Sequence, residues 1–182
     1  MRVHFFILTL LIATSVAHPQ NEVKPEGHYD MSVELASHKQ AITTLFEKCF
    51  NQGQIELLPD LIGSDYHGPN GQIGPSAFAS TIASIRATLP DLRYTLEEMV
   101  AEGDRVAVRW QLEGTQVGEF RGFPASHRHI KTSGMAIFQF KNNRVEGARV
   151  LMDQLGFLQQ IGALPSEIKP ATLSEKPQSS KP

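Results

Sequence analysis

The chain has 182 residues, 17 Lys and Arg against 19 Asp and Glu for a formal net charge of −2, and a hydrophobic fraction of 41%. So balanced a charge excludes the basic footprint of a nucleic-acid-binding protein, and this length supplies one domain with a proper core. The single cysteine, Cys49, excludes an internal disulfide.

In chain order, residues 1–17 read as a secretory signal: Arg2 is a short positive start, Phe5 to Ala13 an apolar core, and Ser15-Val16-Ala17 a small-residue cleavage site. The apolar run is too short to span a bilayer, and no later stretch is long and apolar enough to do so. The expectation is a secreted or extracytoplasmic protein with no membrane contact after signal cleavage. The leader 18–31 and the tail 163–182 are rich in Pro, Glu, Lys and Ser and poor in large apolar residues, so both are expected to be disordered. The folded unit is then residues 32–162.

Ser32 to Asn51 reads as a helix whose stripe is Leu35, Ile42, Leu45, Phe46, Cys49 and Phe50, ended by Gly53. His38 lies close to that stripe and is expected to pack rather than to ligate. Cys49 on the same face suggests a buried small hydrophobe rather than a nucleophile. A shorter helix, Ile55 to Ile62, is interrupted by Pro59. The stretch DYHGPNGQIG, residues 65–74, is a turn-rich loop carrying Asp65 and His67 beside Tyr66. Gly74-Pro75 opens a third helix, with Pro at a position where its missing N–H costs nothing; Phe78, Ile82, Ile85 and Leu89 form its buried face and Pro90-Asp91 stops it.

Only strands follow until the last short helix. Arg93 to Val100 alternates, residues 102–104 form a hairpin turn, and Arg105 to Gly114 is the next strand. Val106, Val108, Trp110 and Leu112 are its core face, which puts Arg109 and Gln111 on the opposite face. Residues 114–129 form a long connection whose Phe120 and Phe123 either close over a cavity or plug the end of the core. His127 and His129 lack a third ligand nearby, so no metal is expected. Ile130 to Phe140 and Arg144 to Asp153 pair as a hairpin across residues 141–143. The fold class is α+β: three N-terminal helices packed on the concave face of a cone-shaped, curved antiparallel sheet, leaving a small-molecule cavity.

The stretch RVEGARVLMDQLGFLQQIG, residues 144–162, organises the end of the chain. Simple alternation puts Val145, Gly147, Arg149, Leu151 and Asp153 on one face, followed by Leu155, Leu158 and Ile161 at helical spacing. Asp153 thus stands where a strand meets a helix. It is either an N-cap or a partly desolvated carboxylate suited to proton transfer, and spacing alone favours the cap.

Several marks taken together resemble the SnoaL-like polyketide cyclase (ester cyclase) family, of the nuclear transport factor two-like superfamily. They are PDL after the third helix, EGDRVAVRW, GT-x-x-GEF-x-G-x-P, and D-x-LG-x-L-x-QIG, within residues 36–162. The resemblance implies an α+β cone and an aldol-type cyclisation or isomerisation of a carbonyl-rich, polyketide-like substrate. It implies no cofactor, and Asp153 as the general acid/base. His67 matches the family's loop histidine at the cavity border. Gln139 matches a polar side chain on the neighbouring strand, and Arg149 would place positive charge on the pocket wall. Trp110, Phe78 and Phe138 are the candidate pocket aromatics. Two departures stand out. Gln116 replaces a histidine that many relatives carry, and Arg149 replaces a tryptophan.

The rival readings require different things of the structure. An enzyme needs Asp153 facing the cavity with a raised pKa. A non-catalytic binder of a small apolar or carbonyl-rich ligand needs the cavity alone. An interaction module needs a complementary patch on the outer sheet face, where Arg109 and Gln111 would suit a homodimer contact.

Overall fold

The computed structural model describes residues 31–68 and 71–167. The signal-like segment, the leader up to Asp30 and tail residues 168–182 lie outside the described residues.

Helix α1 (Met31–Thr44) runs directly into a π-helical turn, Leu45–Phe50. That turn buries Leu45, Phe46, Cys49 and Phe50 together, four large or medium apolar groups in six residues. Gly53, at φ +73°, ends the segment, with its N–H donating to the Cys49 carbonyl. The expected second helix splits at Pro59. A 3-10 turn, Ile55–Leu57, leads into a single α-turn, α2 (Leu58–Leu61). Helix α3 (Pro75–Thr88) starts on Pro75 and buries Ala77, Phe78 and Ile82.

Strands β1 (Arg93–Glu102), β2 (Arg105–Thr115), β3 (His129–Lys141) and β4 (Arg144–Met152) form an antiparallel meander in the order β1-β2-β3-β4, and helix α4 (Gln154–Gln160) closes the described domain. The inner face carries Val106, Val108, Trp110 and Leu112 from β2 with Ile130, Thr132, Ala136, Phe138 and Phe140 from β3, all buried. The helices cover this face. Phe46 meets Phe138 edge-on at 6.1 Å, and Phe50 meets Phe78 at 5.7 Å. Each such ring contributes about 1.5–3 kcal/mol by leaving water. His38 packs as expected: it is buried, stacks on Phe140 at 4.1 Å, and its Nε2 lies 3.2 Å from the Asn143 carboxamide oxygen.

Two bulges shape the sheet. Glu97 is an extra residue in β1, between the Leu96–Trp110 and Glu98–Arg109 pairs. Glu146 is an extra residue in β4, between the Phe140–Val145 and Gln139–Gly147 pairs. An extra residue bends the strand and reverses the alternation beyond it. Val145 therefore points into the core, whereas Gly147, Arg149 and Leu151 pair across from Gln139, Ile137 and Met135 on the outer face.

The free edge of β1 is closed where it starts. Asn51 donates from Nδ2 to the Tyr94 carbonyl (2.9 Å) and accepts from the Tyr94 N–H (2.7 Å), as a neighbouring strand would. The connection after β2 is held by one buried side chain, Gln116. Its Nε2 donates to the carbonyls of Gly118 (2.6 Å) and Pro124 (3.1 Å), and its Oε1 accepts from the Ser126 N–H (2.6 Å). Residues 163–166, expected in a disordered tail, are instead tied to α4. Ala163 and Leu164 donate to the Leu158 carbonyl, and Gln159 donates to the carbonyls of Pro165 and Ser166. The first two of these bonds satisfy a carbonyl, that of Leu158, which the helix end would otherwise leave unpaired.

Candidate functional site

Between α3, the π-helical turn and the inner face of the sheet lies an apolar cavity in two chambers. The larger, about 210 Å³, is lined by Phe46, Phe50, Tyr66, Phe78, Thr81 and Ile85 on the helical side. Tyr94, Trp110, Ala136, Phe138, Ala148 and Val150 line it on the sheet side. Val150 is more than half exposed, so β4 forms its rim. The smaller, about 120 Å³, lies beyond Tyr94 and Trp110, against Leu89, Leu112, Phe120, Met152 and Phe157. Phe120 packs on Phe157 at 4.5 Å, so this ring both plugs the end of the core and borders the smaller chamber.

The polar atoms on the wall of the larger chamber are few and neutral. Thr81 spends its hydroxyl on the Ala77 carbonyl. The Tyr94 hydroxyl and the Trp110 indole N–H have no hydrogen-bond partner among the described residues. Burial pushes the phenols of Tyr94 and Tyr66 above the ordinary tyrosine range, so both stay protonated donors at neutral pH. No Asp, Glu or His is among the residues that line either chamber.

A larger hollow of about 610 Å³ runs outside, between the π-helical turn and the start of β1, past Glu47, Asn51, Gln52, Asp91 and Arg93. It is an open trough in which two of the polar side chains are already engaged. Asn51 pairs with Tyr94, and Asp91 accepts from the Thr115 N–H (2.6 Å) and hydroxyl (2.7 Å). Those two bonds hold the Asp91 carboxyl below its usual range. The enclosed apolar cavity is the better candidate site.

The structure brings three of the expected residues together: Phe78, Trp110 and Phe138 all line the larger chamber. The other four stand elsewhere. Asp153 is exposed and its Oδ1 accepts from the Gly156 N–H at 2.8 Å, so it is the N-cap of α4 rather than a carboxylate in the cavity. His67 is exposed, its Nδ1 2.7 Å from the Asp65 carbonyl; its neighbour Tyr66 is the residue that turns inward. Gln139 and Arg149 lie on the outer face, beside a separate hollow of about 170 Å³, where Gln139 donates to Asp104. For Arg149 the Glu146 bulge is the cause. For Gln139 it is plain alternation, since its neighbour Phe138 takes the inward position. Arg109 lies on the outer face as expected, paired to Glu97 at 2.6 Å and Glu98 at 3.6 Å. Among the described residues no group of three His, Cys, Asp or Glu side chains is placed to hold a metal ion.

Sequence reasoning passed over Tyr94 and Tyr66 as site residues. Tyr94 shares strand parity with the apolar Leu96, a signal that the alternation of residues 93–100 carries.

The geometry agrees with known proteins. Residues 40–161 match the SnoaL-like polyketide cyclase family. Among solved structures, TsrD from Streptomyces laurentii is 30% identical, with a TM-score of 0.66 over 71% of this chain and 97% of that one. A polyketide cyclase candidate from Acidithiobacillus ferrooxidans is 27% identical, with a TM-score of 0.62 over 70% and 95%. A SnoaL-like polyketide cyclase from Agrobacterium tumefaciens, at 18% identity and a TM-score of 0.62 over 69% and 98%, shares the fold. No curated protein matches the chain. With a family match over most of its length and this cavity at its centre, the chain belongs to the SnoaL-like polyketide cyclases of the nuclear transport factor two-like superfamily, a membership that supports a cyclase- or isomerase-type function.

Proposed function

We propose that the larger chamber binds a compact, uncharged, mainly apolar molecule bearing a carbonyl, without a cofactor. The observation that carries this reading is the chamber wall: aromatic and aliphatic side chains with unspent neutral donors and no charged group. Burying a charge there would be costly, whereas a carbonyl oxygen can accept from a protonated phenol. Tyr94 is the donor assigned to it. Trp110 is the only tryptophan of the chain and sits in the wall, so its emission reports occupancy directly. Titration with 2-acetylnaphthalene is expected to quench and shift that emission saturably, and Ala136→Phe, which fills the chamber without adding a tryptophan, to abolish the response. An unchanged emission at ligand saturation of the solvent would refute the reading.

A catalytic form of this reading is favoured by the family membership. A 1,3-dicarbonyl substrate delocalises its own enolate, so ring closure asks the protein for proximity, a proton donor and a proton shuttle. Tyr94 would donate to the developing oxyanion. Asp153 would serve as the proton shuttle only once its carboxylate leaves the Gly156 N–H and turns from the α4 cap toward Met152 at the chamber wall. Turnover of a 1,3-dicarbonyl ester that survives Asp153→Asn would remove Asp153 from that role.

The outer sheet face favours a homodimer. Val100, Met135, Ile137 and Leu151 are exposed there, the last at 80%. Glu98 and Glu102 flank the face on β1 and Arg149 on β4. A two-fold axis parallel to the strands lays each acidic edge over the partner's basic edge. Sedimentation should give a dimer that Leu151→Glu converts to monomer. Export through the signal-like segment completes the reading, and the N-terminal sequence of the mature protein would test it.

A further inference from the structure

We infer that Trp110, with Tyr94 against its edge, is a fixed partition that sets an upper size limit on the ligand, so that the larger chamber alone is used. This inference rests on the cavity being the binding site.

The two chambers share Ile85, Tyr94 and Trp110 as their common wall. Tyr94 and Trp110 meet at 5.2 Å with their rings 76° apart, so one ring braces the other edge-on. Behind the indole there is no room to retreat. Trp110 pairs with Gly134 on β3, and the indole's outer ring lies over that glycine. A Cβ placed on Gly134 would stand 2.2 Å from Cζ2 and 2.5 Å from Cη2 of Trp110, and 2.5 Å from the Leu151 carbonyl oxygen. The ring thus fills the space that a side chain at 134 would take, with the β4 backbone beside it. On its other side stands Tyr94, itself held by Phe46 (5.3 Å) and Phe50 (5.0 Å). A wedge with backbone behind it and a doubly braced ring in front does not swing on ligand entry.

The volumes give the consequence. A dry cavity of about 150 Å³ holds one benzene ring, so a chamber of about 210 Å³ takes a ligand of one to two fused rings. The two chambers joined just enter the range of roughly 300–1,000 Å³ that suits larger ligands. Trp110 therefore decides between these two classes, and Gly134 is the positioning residue that lets it do so.

The test compares two neutral ketones that differ by one ring, 2-acetylnaphthalene and 2-acetylanthracene, by equilibrium dialysis, which does not depend on Trp110 emission. Wild-type protein is expected to prefer the two-ring ketone by roughly tenfold or more, the scale on which a closed apolar pocket rejects added bulk. Trp110→Leu, which joins the chambers, is expected to erase that preference by gaining the three-ring ketone. Tyr94→Phe, which keeps the bracing ring but loses the hydroxyl that donates to either ketone, should weaken both and leave the preference unchanged. Adding Met152→Phe to Trp110→Leu, to refill the smaller chamber, should restore it. Circular dichroism identifies any variant that fails to fold, and Trp110→Phe, expected to shrink the preference part-way, then takes the place of Trp110→Leu. Equal binding of both ketones by the wild type, or a preference unchanged by removing the indole, overturns the inference. Binding of neither ketone by the wild type overturns the cavity reading itself, and the inference with it.

Discussion

Gln116 is the position where the structure makes its firmest demand on a single side chain. It is fully buried and joins Gly118, Pro124 and Ser126 through three hydrogen bonds of 2.6, 3.1 and 2.6 Å. Gln116→Leu keeps the volume and removes every bond, leaving two carbonyls and one N–H to find other partners. At a net ~1 kcal/mol per bond the loss is about 3 kcal/mol, and more if those groups stay dry. For a domain of this size that is a fall in Tm of roughly 10 °C. Gln116→Glu should be worse, because a carboxylate oxygen would replace Nε2 opposite two carbonyl oxygens, and low pH should partly relieve the conflict by protonating it. Gln116→His, the residue that many relatives carry, should fall between wild type and Leu, since one imidazole supplies two polar atoms for three partners. Urea unfolding at constant m-value is the assay. A loss below about 0.5 kcal/mol for Gln116→Leu, the range of an ordinary surface change, would refute the claim that this side chain holds the loop.

Three further outcomes are expected. The Cys49 thiol, raised to about 11 by burial and the Glu56 carboxylate, should stay unreactive toward a disulfide reagent at pH 8 in the native state and react within seconds in urea. The Asp91 carboxyl is held below its ordinary value by Thr115. Its contribution is therefore complete above the unfolded pKa of about 3.9 and fades as pH falls through the folded value. Asp91→Asn should flatten that acid limb of the stability profile only slightly, because the group is exposed. Asp153→Ala should cost about 1 kcal/mol as a lost helix cap, whereas Asp153→Asn, itself a good cap, should leave stability near wild type in the same urea titration.

Much of this architecture was legible in the chain because its periods are clean. The alternation Val106, Val108, Trp110, Leu112 identifies the inner face of β2, and the spacing of Phe78 and Ile82 identifies the buried side of α3; Trp110 and Phe78 accordingly line the cavity. Phe138 and Gln139 are adjacent on one strand, so both could not face inward, and alternation alone sufficed to choose the phenylalanine. Arg149 was different. It shares sequence parity with the buried Val145, and only the extra residue Glu146 separates their faces. A bulge is a property of strand pairing, which a single strand's pattern does not contain. Asp153 offered two chemically sound roles at one strand–helix junction, and the resemblance favoured the shuttle where the geometry has the cap. The partners of Gln116 lie two to ten residues along a loop without periodicity, so its role had no local signal.

The Glu146 bulge also bears on how such a cavity can change its chemistry. Beyond it, Ala148, Val150 and Met152 face the two chambers while Arg149 and Leu151 face outward. Losing the bulge while keeping the residue would exchange those two sets and carry a guanidinium into the cavity wall, whereas deleting Glu146 would leave every pair from Gln139–Gly147 onward as it is. The electrical character of the site is thus set by where the unpaired residue sits in the strand as much as by the strand's letters. Within this architecture, the wall stays apolar when Glu146 is deleted and gains a cation when the bulge is lost with the residue kept.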